Sequence, residues 1–350
     1  MKKYILIFIS VLTLSFNAKA QDGFENILLA SSADANKLME AYFTPAMEGF
    51  IYGMNNGWYH TAKVHKILGF DLTVGLSAAI VPSSKELFQI SSLGLSNGLS
   101  STSATASTFA GPDTPTNFTV TRNVTVGGTN QAVTANFEMP GGVTKDLPLN
   151  AVPAPVAQVN IGLPFKMEAM VRYFPETDLG DDGGKAKMLG LGLKKEITSW
   201  FGPLDKLPLH VSLLAAYTSM DVSYGFPNSN AGDALQVSNG LAAFELRAYT
   251  AQAIASLNFP FINIYGGFGY SSGKSTLKMT GSYSGTYDYT VGGVPQKETI
   301  NLTPPNMEFE ASGVKTTIGA RISLWFLKIF ADYTIQEYNT VSAGVAISIR

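Results

Sequence analysis

The chain has 350 residues, of which only 14% are charged, and its formal net charge is −2. An ordinary soluble domain carries about 25% charged residues, so the composition favours a membrane protein. The weak net charge excludes a field strong enough to attract nucleic acid or anionic lipid by itself. The sequence contains no cysteine, which excludes disulfides, thiol chemistry and a lipoprotein anchor.

Residues 1–20 have the features of a secretory signal peptide. Lys2 and Lys3 form a short basic region, residues 4–16 are largely apolar, and residues 18–20 (AKA) form an A-x-A cleavage site. No later stretch reaches the about 18 uncharged residues that a spanning helix needs. We therefore expect an exported chain that either stays soluble or enters a membrane as strands.

Residues 21–66 contain the helical pattern of the chain. A helix is expected to start at Ser31-Ser32, and Thr44 resembles a new cap with Pro45 at the first position of a second short helix, which ends at residues 55–57. We expect this segment to form a plug inside a barrel or a hatch at its periplasmic mouth. The alternative is a helix packed beneath the barrel for stability alone.

Trp58 and Tyr59 follow, just before the first predicted strand. Trp and Tyr beside basic residues at a strand entry are typical of the membrane–water interface, where amphipathic rings lie at headgroup level. His60 and His65 are close in sequence, but their spacing does not force both onto one face. The sequence therefore predicts no metal site from them.

The first strand runs from 67 to 81, with apolar residues at alternate positions, and Pro82 ends it. It is longer than the about five or six residues usual in soluble proteins, and its length suits a tilted membrane strand. Residues 83–152 are rich in Ser, Thr, Asn, Gly and Pro and predict one large external loop. Within it we expect a hairpin between residues 117 and 138, turning at residues 127–128.

The rest of the chain repeats the alternation of apolar and polar residues and predicts nine further strands. Segments of about ten residues, joined by alternating long and short connections, are typical of a transmembrane β-barrel, with a soluble β-sandwich as the alternative. In one segment the alternation blurs past Thr250, which we interpret as a bulge. The segments are 157–163, 167–173, 189–196, 209–218, 241–257, 262–270, 313–324, 329–335 and 340–350.

The predicted fold is all-β: a transmembrane antiparallel β-barrel of about ten strands, residues 67–350, with a short N-terminal helical plug, residues 21–66. The last strand must pair with the first, because an open edge in lipid leaves backbone groups unsatisfied.

Charged residues on the polar faces of a membrane barrel are expected to point into the lumen. Arg or Lys facing lipid at mid-bilayer costs about 2–4 kcal/mol. Both signs occur, so we expect ion pairs, and ten strands are compatible with a closed salt-bridged core or with an open pore lined by Arg172, Arg247 and Arg321. The candidate lumen-lining residues are Asp71, Lys166, Glu168, Arg172, Lys194, Glu196, Glu245, Arg247, Lys315, Arg321 and Asp332.

Catalytic and cofactor motifs are scarce. His210 and Ser212 share a strand face but lie about 7 Å apart, too far for a direct hydrogen bond. Residues 178–183 resemble a calcium loop in composition but lack the EF-hand spacing and its closing Glu, which favours an ordinary exposed turn. The sequence therefore predicts no enzyme, no cofactor and no metal site.

A set of short motifs is spread over most of the mature chain: GWYHTAK at 57–63, LGFD at 68–71, PAP at 153–155 with Gln158, RY at 172–173, GLK at 192–194 and LP at 207–208. Together they resemble a family of uncharacterised exported proteins from Bacteroidetes. That resemblance implies an outer-membrane barrel and no substrate. Residues 194–196 are Lys-Lys-Glu where the family's Lys-His-Asp is expected, so no role for that histidine carries over. Arg350 stands where proteobacterial porins end in Phe.

The predicted location is the cell outer membrane, and the predicted partners are outer-membrane lipid and the barrel-assembly machinery, without nucleic acid. Two functions compete. The first is a narrow or gated channel for a small or amphipathic solute. The second is a structural or adhesive surface barrel with a closed lumen, whose function lies in loop 83–152.

Overall fold

The computed structural model describes residues 24–126, 128–144, 148–179, 184–226, 228, 234–291 and 293–349. The predicted signal peptide lies outside these ranges, as do residues 180–183 of the calcium-loop-like run. No helix within them is long and apolar enough to cross a membrane. They contain a 3-10 helix at Phe24–Leu29, an α-helix, α1, at Ser32–Met54, and the following strands: β1 Phe70–Ile80, β2 Leu87–Gln89, β3 Leu99–Ser100, β4 Thr105–Ser107, β5 Thr116–Val126, β6 Thr129–Met139, β7 Ala151–Leu163, β8 Met167–Leu179, β9 Gly184–Glu196, β10 Leu209–Gly225, β11 Leu235–Asn258, β12 Ile262–Val291, β13 Val294–Leu302, β14 Asn306–Leu324, β15 Leu327–Ile335 and β16 Thr340–Ile349.

Ten of the described strands form a closed antiparallel ring, in the order β1, β7, β8, β9, β10, β11, β12, β14, β15 and β16. The pairing of β11 with β12 and of β16 with β1 closes it. In the second pair, Val74 lies opposite Val345 and Leu76 opposite Ala343. The predicted barrel of about ten antiparallel strands, with its last strand paired to its first, is confirmed.

The connections give the barrel two distinct ends. At the short-turn end, residues 164–166, 259–261 and 325–326 join neighbouring strands. At the long-loop end, residues 81–150 join β1 to β7. Four strands, β10, β11, β12 and β14, extend further towards the long-loop end than the rest, so the wall is taller on that side.

The lower section of the barrel runs from the short-turn end to a row of tyrosines on its outer surface, which are Tyr173, Tyr217, Tyr249 and Tyr270. Below this row the outward side chains of the strands are mostly apolar and exposed, whereas the inward ones are buried and include the polar and charged residues together with some apolar ones. Large aromatic side chains also lie exposed at the short turns, and Trp325 is 92% exposed. The exposed apolar residues between the two aromatic bands include Leu72, Val171, Leu191, Leu213, Ile264, Ile318 and Ile347.

The upper section consists of the strand residues beyond those tyrosines, α1 and the described residues of 81–150, and there the two faces exchange polarity. On β11, Leu246 and Ala248 point inward and are buried, while Glu245 and Arg247 lie on the outer surface. The register of β11 with β12 is continuous from 241 to 258 and shifts only between Ser238 and Leu241. The interpretation of a bulge near Thr250 is therefore wrong. The pattern blurs because the polarity of the two faces reverses there.

Helix α1 is continuous from Ser32 to Met54, so the predicted second cap at Thr44 is wrong. Its start is as predicted, because the Ser31 hydroxyl accepts a hydrogen bond from the Asp34 amide. Pro45 cannot donate to the helix ladder. Tertiary packing outweighs this loss, because α1 is surrounded by the apolar core of the upper section. That core includes Phe24, Leu38, Tyr42, Phe43, Met47, Phe118, Phe137, Leu277 and Phe309.

The connection 81–150 contains the predicted hairpin, in which β5 pairs with β6 and Phe118 stacks on Phe137. It also covers α1. The Phe109 amide donates to the Tyr42 carbonyl (2.9 Å), and the Tyr42 hydroxyl donates to the Gly141 carbonyl (2.9 Å). The large loop is thus part of the upper core where the structure describes it.

Candidate functional site: a lumen filled by residues 55–66

The plug segment, residues 55–66, descends from the end of α1 through the lumen of the lower section. It contains neither helix nor strand, so its backbone polar groups need partners from outside the segment. Inward side chains of the wall supply them. Five of them donate to carbonyls of the segment: Gln158 to Trp58, Arg172 to Asn56, Lys194 to Thr61, Ser212 to Ala62 and Lys315 to Asn55. Three accept from its amides: Ser256 from Ala62, Glu196 from Val64 and Glu168 from His65.

Arg172 makes the most extensive contact with the plug segment. Its two terminal nitrogens donate to the carbonyls of Met54 (3.0 Å) and Asn56 (2.8 Å), and its Nε donates to Gln158 Oε1 (2.9 Å). The guanidinium also lies 4.0 Å from the centre of the Trp58 ring. Arg172 is 1% exposed, so its charge is balanced by these carbonyls and the ring rather than by water.

Two plug histidines share one carboxylate near the short-turn end. Asp71 Oδ2 lies 3.3 Å from His60 Nε2 and 3.4 Å from His65 Nε2. The other nitrogen of His65, Nδ1, lies 2.7 Å from Glu168 Oε2, and Glu168 Oε1 pairs with Lys194 at 2.6 Å. The sequence spacing did not predict that both histidines would converge on one residue, because the connecting backbone is irregular.

This cluster is built for ion pairing rather than for a metal. Arg321 donates to His60 Nδ1 at 3.0 Å, which brings a guanidinium next to that imidazole and disfavours a bound cation. Within the described ranges, no group of three or more His, Cys, Asp or Glu side chains has an arrangement that could hold a metal ion.

Aromatic side chains of the plug segment fit against glycines of the wall. A Cβ on Gly190 or Gly192 would lie 3.0 Å from the Trp58 ring, and a Cβ on Gly267 would meet the Tyr59 hydroxyl. Trp58 and Tyr59 are 1% and 6% exposed. The expectation that these two residues lie at the membrane–water interface is therefore wrong, because both point into the lumen.

The structure brings most of the candidate lumen residues together inside the barrel, and three of them lie elsewhere. Lys166 is exposed in the turn between β7 and β8, and Glu245 and Arg247 point outward in the upper section. Their assignment to the lumen is wrong, for Lys166 because it precedes the start of β8, and for Glu245 and Arg247 because alternation alone does not show which face is inward once a strand leaves the apolar zone. Asp332 is inward and accepts a hydrogen bond from the Tyr265 hydroxyl at 3.0 Å.

His210 and Ser212 do not form a base and nucleophile pair. His210 Nδ1 lies 3.0 Å from Glu196 Oε1, and Ser212 donates to the Ala62 carbonyl at 2.5 Å. Both side chains take part in holding the plug segment or its partners. Their geometry offers no acyl-transfer chemistry.

A second polar cluster ties α1 to the wall at the long-loop end. Lys85 Nζ lies 2.6 Å from Glu48 Oε2 and 2.6 Å from Glu337 Oε1. The hydroxyls of Tyr52 and Tyr338 donate to Glu337 (2.9 Å) and Glu48 (2.6 Å). The hydrogen bond from Lys85 holds the pKa of Glu337 below its ordinary value. Burial lowers the pKa of Lys85, but its bonds to Glu337 and Glu48 outweigh burial and raise that pKa.

The family of the chain follows from the match of its whole sequence. A family model matches residues 1–349 and describes a family of unknown function, DUF6588. The chain belongs to this family. No curated protein matches the sequence.

Solved structures with similar features are β-barrels of bacteria. Ail, the attachment invasion locus protein of Yersinia pestis, in complex with the heparin analogue sucrose octasulfate, is 7% identical with a TM-score of 0.25, over 81% of this chain and 100% of Ail. The translocator domain of the autotransporter NalP from Neisseria meningitidis is 10% identical with a TM-score of 0.26, over 82% and 90%. A mutant porin of Rhodopseudomonas blastica is 9% identical with a TM-score of 0.14, over 81% and 99%. These TM-scores are low, so the barrel assignment depends on the strand pairing of this chain.

Proposed function

We propose that this chain is an outer-membrane β-barrel that is closed by its own plug segment and that acts through the module displayed at its long-loop end. The outer surface of the lower section supports the location. On β11 it extends from Tyr249 to Leu257, about nine residues, close to the 9–11 tilted residues that cross a bilayer. Aromatic bands at both edges are typical of such barrels.

The contacts between the wall and the backbone of residues 55–66 carry the proposal of a closed lumen. Arg172, Lys194 and Lys315 point inward, as the lining of a pore would, but each donates to a carbonyl of the chain itself. Withdrawing the plug segment would break these hydrogen bonds, and water entering the lumen would have to replace the lost acceptors. The resting state of the barrel is therefore non-conducting.

A closed lumen leaves the upper section as the functional part. It has its own apolar core, and it holds residues 24–54 and the described residues of 81–150 beyond the tyrosines. On a cell surface this module would be the accessible portion of the protein, which suits a structural or adhesive role. We propose no catalytic activity.

A gated channel for a small or amphipathic solute is the second candidate. The observation in its favour is the irregular backbone of the plug segment, which is held by side-chain hydrogen bonds within a polar wall. Displacement of the segment would expose polar residues along the lumen, and a polar interior is what an aqueous path requires.

A cysteine pair separates the two candidates in the otherwise cysteine-free chain. Ala62→Cys and Ser256→Cys join the plug segment to β11 at a point where Ser256 Oγ lies 3.0 Å from the Ala62 amide. We expect no single-channel steps in planar bilayers, whether the pair is reduced or oxidised. Steps under reducing conditions that disappear on oxidation would instead establish the gated channel. The single variant Ser256→Cys is the control for loss of the Ser256 hydroxyl.

Cell fractionation tests the location. The protein should sediment with outer membranes and resist extraction by high salt or carbonate, because the lower section has an apolar exterior. Protease added to intact cells should cleave first within residues 83–152. Recovery as a soluble periplasmic protein would contradict the proposal.

A further inference from the structure

The two plug histidines lie in different electrostatic surroundings, although both approach Asp71. The nitrogens of His65 lie next to two carboxylates, since Nδ1 is 2.7 Å from Glu168 Oε2 and Nε2 is 3.4 Å from Asp71 Oδ2. His60 has a carboxylate on one side only, because its Nε2 lies 3.3 Å from Asp71 Oδ2 while its Nδ1 faces the Arg321 guanidinium at 3.0 Å. The two histidines are therefore expected to respond differently to acid.

The contact with Arg321 determines the protonation state of His60. A guanidinium has only donors, so Nδ1 of His60 must keep its lone pair to accept this hydrogen bond. The single ring proton of His60 is then on Nε2, which faces Asp71. A second proton would have to enter at Nδ1, where it would replace the acceptor by a donor and bring two cations into direct contact.

The groups around His60 do not offset that extra charge. Two carboxylates and two fixed cations from β1, β8, β9 and β14 surround the two imidazoles, and they balance when both rings are neutral: Asp71, Glu168, Lys194 and Arg321. Lys194 also acts on His60 through space. Asp71 attracts a proton to His60, but it is shared with His65 and Asn160. Phe330 of β15 stacks on His60, with the ring centres 5.0 Å apart, and carries no charge.

We propose that the hydrogen bond between Arg321 and His60 is an acid-sensitive attachment of the plug segment, which protonation of His60 breaks, so that acid loosens the segment from β14. This inference rests on the proposed closed lumen and adds its regulation. In the proposed location the short-turn end, where this contact lies, faces the periplasm.

The direction of the pH effect follows from proton uptake. An imidazole in water takes up its proton near about pH 6.5. Below that pH the loosened segment therefore binds one more proton at His60 than the attached segment does. The share of the loosened state should rise as the pH falls, and the attachment should be complete at higher pH.

The accessibility of a buried cysteine measures how often the plug segment loosens. Ala62 is fully buried, so Ala62→Cys in the otherwise cysteine-free chain should react with a soluble thiosulfonate only when the segment opens. Lys66 is exposed, and Lys66→Cys in a separate chain is the reference, because the ratio of the two rates cancels the effect of pH on the thiol itself. We expect this ratio to rise about tenfold per pH unit between about pH 6 and about pH 5, the slope for uptake of one proton.

Two substitutions in the Ala62→Cys background test the role of His60. His60→Asn keeps an oxygen that can accept from Arg321 but takes up no proton, so the ratio should change less than about twofold per pH unit. Arg321→Gln should have the same effect by another route, because its amide can turn to donate to neutral His60 or to accept from protonated His60. The matched control is His65→Asn, which should retain the tenfold slope.

Heat-modifiability at each pH shows which variants keep the folded barrel, and either test variant is sufficient if the other does not fold. A tenfold slope that persists in a folded His60→Asn or Arg321→Gln chain would overturn the inference, as would its loss in His65→Asn. Equally slow reaction of Ala62→Cys at every pH refutes only this inference, because the plug segment is then closed without being acid-sensitive. Reaction at neutral pH as fast as that of Lys66→Cys would refute the closed lumen itself.

Discussion

In the lower section of the barrel, charged side chains are buried and leucines, isoleucines and aromatic residues are exposed, whereas in the upper section the reverse holds. Both arrangements occur on the same strands without a change of side-chain phase. On β14, Lys315 and Ile318 belong to the lower section, with Lys315 buried and Ile318 63% exposed, whereas Phe309 and Glu310 belong to the upper section, with Phe309 buried and Glu310 exposed. The inward and outward directions are therefore set by strand geometry, and the surroundings decide which polarity each direction carries.

This comparison shows why a charged lumen does not identify a pore. In the proposed membrane location, the charges of the lower section lie inside because lipid surrounds the wall, and they need partners once they are there. The plug segment provides carbonyl, amide and imidazole groups for them. In the same proposed location, water surrounds the wall of the upper section, and α1 supplies an apolar core inside it instead.

Breaking one buried ion pair of the lower section should have the largest effect. Glu168→Leu leaves Lys194 buried without its carboxylate, and we expect a loss of about 3–5 kcal/mol in the free energy of unfolding, measured by urea titration of the heat-modifiable form. Adding Lys194→Met should recover part of that loss, because an apolar pair replaces an isolated charge.

The matched control is Glu176→Leu, which breaks the exposed pair with Lys185 in the upper section. It should change stability by no more than about 1 kcal/mol, because water screens exposed pairs. Equal losses for Glu168→Leu and Glu176→Leu would contradict the contrast between the two sections.

A charge placed on the outer face should destabilise the folded barrel only in the lower section. Ile318 lies on the face that the proposed location exposes to lipid, so Ile318→Arg should destabilise the folded barrel by about 2–4 kcal/mol. Glu308→Arg, on the same face of β14 but in the upper section, should stay within about 0.5 kcal/mol, as ordinary surface substitutions do. The yield of heat-modifiable barrel after refolding into vesicles measures the effect of each substitution. Similar yields for the two variants would show that the membrane boundary does not lie between Glu308 and Ile318.

The smallest effect is expected from the Lys85 cluster of the upper section. The lowered pKa of Glu337 contributes stability above its unfolded value of 4.5, and this contribution is lost as the pH falls through the folded pKa. The raised pKa of Lys85 contributes stability below its unfolded value of 10.5, which is lost as the pH rises past the folded pKa. Limited proteolysis within residues 81–93 should therefore be constant at neutral pH and increase below about pH 4.5.

Lys85→Met removes the common partner of both carboxylates and serves as the control for the pH effect. This variant should be cleaved faster at neutral pH and should show a weaker change between pH 7 and pH 4 than the unaltered chain. An unchanged pH profile in the variant would show that other carboxylates cause the effect.

The strand order, the closure of β16 on β1 and the direction of most strand side chains in the lower section could be predicted from the sequence. Period-two alternation is a local property, and a chain whose last strand is as apolar as its first has one way to satisfy both edges in lipid. The same reasoning failed for Glu245 and Arg247, because above Tyr249 the alternation continues while the outward face becomes polar and the inward face becomes apolar. It also divided α1 at Pro45, where burial outweighs the missing backbone donor.

The contents of the lumen were decided by tertiary structure. Arg172 reaches the carbonyl of Asn56 across 116 positions of sequence, and Lys315 reaches that of Asn55 across 260. No local pattern encodes such contacts, because they depend on where an irregular backbone passes once the barrel has closed around it. Sequence periodicity determines a wall with polar residues inside, since each strand residue has only two directions in which to point. Only the folded chain shows that this interior is occupied by residues 55–66, because their backbone groups and the buried charges of the wall are each satisfied by the other.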